Sequence, residues 1–555
     1  MTAAGPAELV FVPLGGAGEI GMNLNLYGYG PPDRQRWLMV DLGITFGAGS
    51  APGVDVILPD PTFIAERCDA LDGILLTHAR EDHLGAVPYL WPRLGVPVYG
   101  TAFTLAVLAR KLAEVGLDGA VPLVEVPQGG RIAIGPFDLE LVGMTHSIPE
   151  SNAVVIRTPA GTVVHTGDWK LDPEPVVGHV SDEEKLRRVG DEGVLALVCD
   201  STNVFEAGKS GSEGDLLPAL SEIIGGCVQR VAVTCFATNI ARLETIARAA
   251  AANGRDVVLA GRSFRRITEA ARETGYLGDI PAFIDEAECG YLPRDRVVVV
   301  CTGSQGEPRA ALSRIAAGDH PNVDLESGDT VIFSSRVIPG NEIAVGRVQD
   351  DLIRRGVEIV TWRDAQVHVS GHPARDELAA MYRLVRPSVC VPVHGTLHHM
   401  DEQARFARAC QVPAAVVAEN GSVARLAPGT AEVAGQVPSG RLSLEGGRVV
   451  PMDGDLVRGR IRALYNGHAV ATVVLGADGT LSAEPQVSSV GVVEAGEEGV
   501  EAEVRAAIRS AVDGLPRKSY GDDDTVREAV RIAVRRAFRD HIGKRPRTEV
   551  HLVRV

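Results

Sequence analysis

Short apolar strands that each run into a histidine or an aspartate constrain this chain more than any other feature. Trp37-Leu38-Met39-Val40 ends in Asp41, and Gly73-Ile74-Leu75-Leu76-Thr77 runs straight into His78-Ala79-Arg80-Glu81-Asp82-His83. Leu139–Val142 precedes His146, Thr162–His165 precedes Asp168, and Val389–Val393 precedes His394. A strand fixes the position of its end, so several such ends can converge on one point in an α/β layered fold. Imidazole and carboxylate groups gathered in that way suit zinc or manganese. Any one of the 14 histidines alone reads as a hydrogen-bonded structural residue. The set reads as metal ligands, because the loop spacing is specific. The glycine run Gly15 to Gly21 does not signal a dinucleotide site: it leads into another strand pattern, Asn23–Tyr27, and not into a helix. It predicts a tight turn whose backbone approaches something closely.

The rhythm changes near residue 208 to strand–helix alternation: strand 231–235, helix 239–252, strand 257–259, helix 263–274, then strands 297–301 and 330–333. This predicts a parallel-sheet unit. After about 360 the earlier style returns with Gln366–Ser370 and Val389–His394. The expected division is one discontinuous domain, 1–207 and 361–440, split by an insertion, 208–360. A linker, 441–460, and a small α+β domain, 461–555, complete it. The length of 555 residues suits three to four domains. With 55 Lys+Arg against 72 Asp+Glu, the net charge is −17, which argues against a protein that coats nucleic acid by bulk charge. No run approaches the roughly 18–20 apolar residues of a membrane span, and residues 1–6 do not open a secretory signal. The eight cysteines form no CxxC pair and read as reduced thiols, so a cytoplasmic location is expected.

The Asp41 strand end, the His78…Asp82-His83 loop, His146 and Thr166-Gly167-Asp168 resemble the metallo-β-lactamase fold. Cys199-Asp200-Ser201-Thr202-Asn203, His368-Val369-Ser370-Gly371-His372 and Pro392-Val393-His394-Gly395 resemble the β-CASP nucleases. Pro13-Leu14-Gly15-Gly16, Gly303-Ser304-Gln305-Gly306-Glu307-Pro308 and Ile338-Pro339-Gly340-Asn341-Glu342 are similar to the bacterial ribonuclease J family within that group. The resemblance implies an αββα sandwich split by an inserted α/β β-CASP domain, plus a small α+β C-terminal domain. It implies two Zn2+ ions (Mn2+ or Mg2+ as alternatives), one held by His78, His146 and Asp168, the other by Asp82, His83, Asp168 and His394. Asp41 would support the loop from behind the ligands. His372, oriented by Asp200, would protonate the leaving oxygen, and His368, Ser370, Gly371 and Ser335 would hold RNA phosphate. The activity implied is 5′-to-3′ exonuclease action on single-stranded RNA with a 5′-monophosphate, together with endonuclease action. A homodimer or homotetramer and an RNA-degradation complex are the partners implied.

One position departs from the pattern. The family's loop reads His-x-His-x-Asp-His, and here the second histidine is Arg80. A guanidinium has only donors and stays charged, so it cannot ligate a cation. The first site is therefore expected to be weak or empty. Impaired activity, a slow one-metal enzyme in which Arg80 pairs with Asp168, and a site completed by water after Arg80 swings away all remain open. So does the alternative of a catalytically weak or inactive RNA-binding subunit. Arg262, Arg265 and Arg266 cluster beside Gly261 and Ser263 at an expected helix start, where phosphate is favoured, and Arg262 is a candidate RNA contact. Arg309, Arg336 and Arg375 lie beside the nuclease-like motifs. Arg527, Arg531 and Arg535 read as the outer face of an amphipathic helix.

Overall fold

The computed structural model describes residues 6–47, 52–494 and 497–555. The described residues form two compact units, one lying within 1–45 and 57–440, the other within 46–56 and 441–555.

In the first unit two sheets face each other. One has eight strands and is built around Glu8–Gly15, Leu24–Gly30, Arg36–Leu42 and Leu71–Leu75. The other has seven and includes Phe137–Gly143, Asn152–Thr158, Gly161–His165, Ala196–Asp200 and Val389–Val393. Leu9, Phe11, Leu38 and Val40 from one sheet and Leu139, Leu141, Val154, Ile156 and Val198 from the other fill the space between them. The alternate side chains of the second sheet, Val142, Val155, Val164 and Leu197, pack on Leu186, Val189, Leu378 and Met381 of helices Glu183–Glu192 and Arg375–Val385. This period-2 division of apolar side chains makes a layered sandwich possible. On the first sheet, Trp37 meets Phe63 edge-on at 5.4 Å.

The last three strands of the second sheet named above run parallel, with His165 beside Val198 and Asp200 beside Val393. Their carboxyl ends therefore lie side by side, which is where α/β sheets place ligands. The chain leaves at Asp200, builds a six-stranded parallel sheet and returns. That sheet runs Ile284–Asp285, Asp256–Ala260, Val297–Cys301, Val231–Thr234, Thr330–Phe333, Glu358–Val360. Its central strand, Val297–Cys301, is buried throughout, as expected for a sheet covered on both faces.

One local expectation is corrected. Residues 366–370 form no strand: the carbonyls of Val367 and Val369 face the Arg242 guanidinium, and that of Val367 also accepts from Ser334 Oγ at 2.6 Å, in place of a neighbouring strand. The chain beyond Thr77 forms two short helices, Glu81–Leu84 and Val87–Leu90, the first starting inside the histidine loop.

In the second unit, residues 441–460 carry the hairpin Arg441–Glu445/Arg448–Pro451 and the start of helix Asp455–Asn466. Strand His468–Leu475 lies between Gln486–Val490 and Arg547–Arg554. Val504, Ile508 and Val512 pack with Val526, Val530, Val534 and Phe538. Arg527 and Arg531 pair with Asp524 and Glu528 on the outer face of their helix. None of the described helices is long and apolar enough to cross a membrane, and the cysteines are unpaired.

Candidate metal centre and catalytic loop

Asp41, the next-to-last residue of its strand, has a φ of 65° and is fully buried. Its Oδ1 accepts from the Thr77 amide at 2.8 Å, and its Oδ2 accepts from Thr77 Oγ1 at 2.9 Å and His83 Nδ1 at 2.7 Å. One carboxylate thus shapes the loop and fixes a histidine ring. The Thr77 hydroxyl donates to Asp41, so its oxygen is free to accept from His78 Nδ1 at 3.0 Å. His146 Nδ1 donates to the Gly371 carbonyl at 2.5 Å. Thr202 Oγ1 donates to Asp200 Oδ1 at 2.7 Å, so it accepts from His394 Nδ1 at 2.8 Å. In each case the proton sits on Nδ1 and Nε2 is turned inward, the arrangement that metal-binding histidines need.

All four Nε2 atoms face Asp168, which is 1% exposed. His78 and His146 are each 3.7 Å from Oδ2; His83 is 3.2 Å and His394 3.7 Å from Oδ1. Asp82 joins the second pair, its Oδ2 3.1 Å from His394 Nε2. The ligand atoms of His78, His146 and Asp168 lie within 4.8 Å of one another, as do those of Asp82, His83, Asp168 and His394. His78 Nε2, His146 Nε2 and both Asp168 oxygens are buried without a hydrogen-bond partner. Such orphaned atoms cost about 1–3 kcal/mol each unless something binds them. The donor set therefore fits metal binding, with Asp168 shared by the two clusters.

The charges of the two clusters differ. Burial pushes His83 down, but the carboxylates of Asp168, Asp82 and Asp41 outweigh it and hold the ring up at about 10. His78 is pushed down to about 3, by burial and then by His83. Burial and then the Arg80 charge hold His146 well below its ordinary value. Arg80 caps the short helix Glu81–Leu84, its guanidinium donates to Ser147 Oγ, and its Nε is buried without a partner. The cationic side chain thus reaches into the surroundings of the first cluster.

His372 completes the centre. Its Nδ1 meets Asp200 Oδ2 at 2.8 Å, and its Nε2 is 4.0 Å from Asp168 Oδ2. Ser370 Oγ accepts from the His372 amide at 3.1 Å and from Asn203 Nδ2 at 2.7 Å. Gly371 is required by contact: a Cβ there would lie 2.7 Å from His146 Cε1. His368 Nδ1 is 3.4 Å from Arg242 Nη1, and Ser335 is buried next to Ser334, which Arg242 also bonds. Arg262 is exposed, while its neighbours Arg265 and Arg266 pair with Asp285 and Glu114. The turn at Gly16 carries a supporting bond, its carbonyl accepting from the His394 amide at 2.6 Å.

The roles of Thr202 and Asn203, seen in the sequence only as part of a motif, and of Ser147 and the Arg242–Glu213 pair are not legible in the sequence. Arg242 is fully buried, its Nε and Nη2 lying 2.5 and 3.0 Å from the two Glu213 oxygens. An arginine at an apolar helix position was the only signal available for it.

Comparison with known proteins agrees with this geometry. Residues 36–185 match the beta-lactamase superfamily domain, and 228–352 the beta-CASP domain of ribonuclease J. Residues 363–414 match the Zn-dependent metallo-hydrolase RNA specificity domain, and 456–555 the ribonuclease J C-terminal domain. Ribonuclease J of Sinorhizobium meliloti is 46% identical over 99% of this chain and 98% of its own. That of Mycolicibacterium smegmatis is 42% identical over 85% and 84%, and that of Thermus thermophilus 36% identical over 98% and 95%. A split sandwich with an inserted parallel sheet, a centre of four turned histidines around one aspartate, and relatives matched nearly end to end make this chain a member of the ribonuclease J family.

Proposed function

We propose that this chain is a metal-dependent ribonuclease, a hydrolase of RNA phosphodiesters, whose rate is held down by Arg80. The observation that carries the reading is the convergence of four Nε2 atoms on the two oxygens of Asp168. His78, His146 and Asp168 would hold one cation, and Asp82, His83, Asp168 and His394 the other. Imidazole and carboxylate donors favour Zn2+, with Mn2+ or Mg2+ as alternatives. Bound cations at such a site acidify water and offset charge on an attacked phosphodiester. His372 donates a proton from Nε2 to the leaving oxygen while Asp200 holds its Nδ1. Ser370, His368, Gly371 and Ser335 line the phosphate-binding loop, with Arg262 as an outlying contact. Asp41 orients His83.

The mode proposed is 5′-to-3′ exonuclease action on 5′-monophosphorylated single-stranded RNA, with endonuclease action besides. A cytoplasmic homodimer or homotetramer, associated with an RNA-degradation complex, accompanies it. The domain division proposed remains 1–207 with 361–440, 208–360, and 461–555 after a connector. Arg80 also favours a second reading, an RNA-binding subunit with little turnover. Decay of a labelled 5′-monophosphate RNA, followed for this chain and for Arg80→His with and without chelator, separates the two. Chelator-sensitive decay that Arg80→His accelerates supports the enzyme. No decay by either protein would overturn it.

A further inference from the structure

Beyond the metal centre, exposed aromatic side chains stand beside the catalytic loop. The turn after Asp200 is tied to that loop: Asn203 Nδ2 donates to Ser370 Oγ at 2.7 Å and to the His372 carbonyl at 3.0 Å. The Glu206 amide donates to the Asn203 carbonyl at 2.9 Å, and the Glu206 carbonyl accepts from the Arg375 amide at 3.0 Å. This pinned turn presents Phe205, 45% exposed, against the rings of His398 and His399 at 4.5 and 5.2 Å. Those histidines open the helix that follows His394. On the other side Glu206 Oε1 lies 3.1 Å from Arg336 Nη1. The Arg336 guanidinium lies over the Trp362 ring at 5.0 Å, and that of Arg363 lies over it at 5.3 Å. Trp362 is 38% exposed and six residues before His368.

Phe205 packs on two histidine rings yet leaves 45% of its surface to water on a pinned turn. An aromatic ring flanked by arginines is how single-stranded nucleic acid is gripped without regard to sequence: bases stack on rings and phosphates meet cations. We propose that Trp362, Arg336 and Phe205, with His398 and His399, form a stacking platform for the bases of single-stranded RNA at the rim of the catalytic loop. This rests on the reading above that RNA is the substrate. Glu206 is the internal competitor, since a phosphate must draw Arg336 away from it.

The test is binding of a fluorescein-labelled 5′-monophosphate oligoadenylate to the full-length, chelator-treated protein, where cleavage does not interfere. Trp362→Ala and Phe205→Ala are each expected to weaken binding about tenfold. Glu206→Gln should strengthen it severalfold, a gain that a merely structural residue would not produce. Tyr291→Ala, at an exposed ring elsewhere on the insertion, should leave it unchanged. RNA should quench tryptophan fluorescence in the parent and much less in Trp362→Phe, since Trp37 and Trp169 are buried and Trp91, half-buried, is not part of the platform. An abasic oligomer of equal length should bind the parent and Trp362→Ala alike. Parent-like binding by both alanine variants, or weakening by Glu206→Gln, would overturn the platform. Its failure is separable from failure of the nuclease reading: RNA cut by Arg80→His with unaltered Trp362→Ala binding sinks the platform alone. Platform-dependent binding without any cutting sinks the nuclease alone.

Discussion

The two halves of the centre share Asp168 and are built alike, yet they differ in their number of donor groups and in the charge around them. On the Oδ1 side, Asp82, His83 and His394 supply an anion and two imidazoles, and carboxylates surround them. On the Oδ2 side only His78 and His146 remain, and the neighbouring charge is the Arg80 guanidinium. The rings on both sides are oriented equally well, by Asp41 through Thr77, by the Gly371 carbonyl and by Thr202. With the rings equally well oriented, the charge around them is what should decide whether a cation stays.

Removing the shared group should have the largest effect. Asp168→Ala is expected to empty both halves and to lower RNA cleavage at least about a thousandfold, read by metal analysis and single-turnover decay. Restoring the missing ligand comes next. Arg80→His should raise cleavage about 10- to 100-fold, the size of effect typical of groups that complete a metal site. Arg80→Met removes the charge without adding a ligand and should recover only part of that gain. Thr202→Val releases the His394 ring and touches neither His78 nor His146. Titration calorimetry should show the tighter cation weakened about 10- to 100-fold, and an equal loss on both sides would break the proposed division.

A buried charge outside the centre calibrates the comparison. The Lys170 ammonium meets Asp172 Oδ2 at 2.8 Å, both side chains about 2% exposed or less, and Ser212 Oγ and the Glu213 amide complete the carboxylate. Burial pushes Asp172 up, but Lys170 and these donors outweigh it and hold the carboxyl below its ordinary value. A depressed carboxyl stabilises the fold above its unfolded pKa and loses that contribution as pH falls through the folded value. Denaturant melts should therefore lose this contribution only below about pH 4. Asp172→Asn should cost about 3–5 kcal/mol at neutral pH and leave bound metal unchanged. A fall in metal content would mean that the two regions are coupled.

The centre was legible in the sequence because its ligands stand at strand ends, where an apolar run gives way abruptly to His or Asp. The split of the sandwich was legible too, since a period-2 pattern breaks into strand–helix alternation near 208 and resumes after 360. Less was legible where side chains bond backbone. Residues 366–370 alternate like a strand, yet their carbonyls turn to Arg242 and Ser334, bonds that no periodicity records. Thr202 is a single hydroxyl that bonds both Asp200 and, 192 residues further on, His394, and its partners become visible only once the parallel strands stand side by side. Arg80 was the reverse case: the sequence marks it as foreign to its loop, and the structure adds that it reaches Ser147 beside His146.

The most direct test is the number of divalent ions bound per chain after dialysis against a limiting concentration of metal, for this protein and for Arg80→His. Arg80 disabling only the Oδ2 half predicts about one ion in the parent and about two in the variant. Two ions in both proteins would contradict the account.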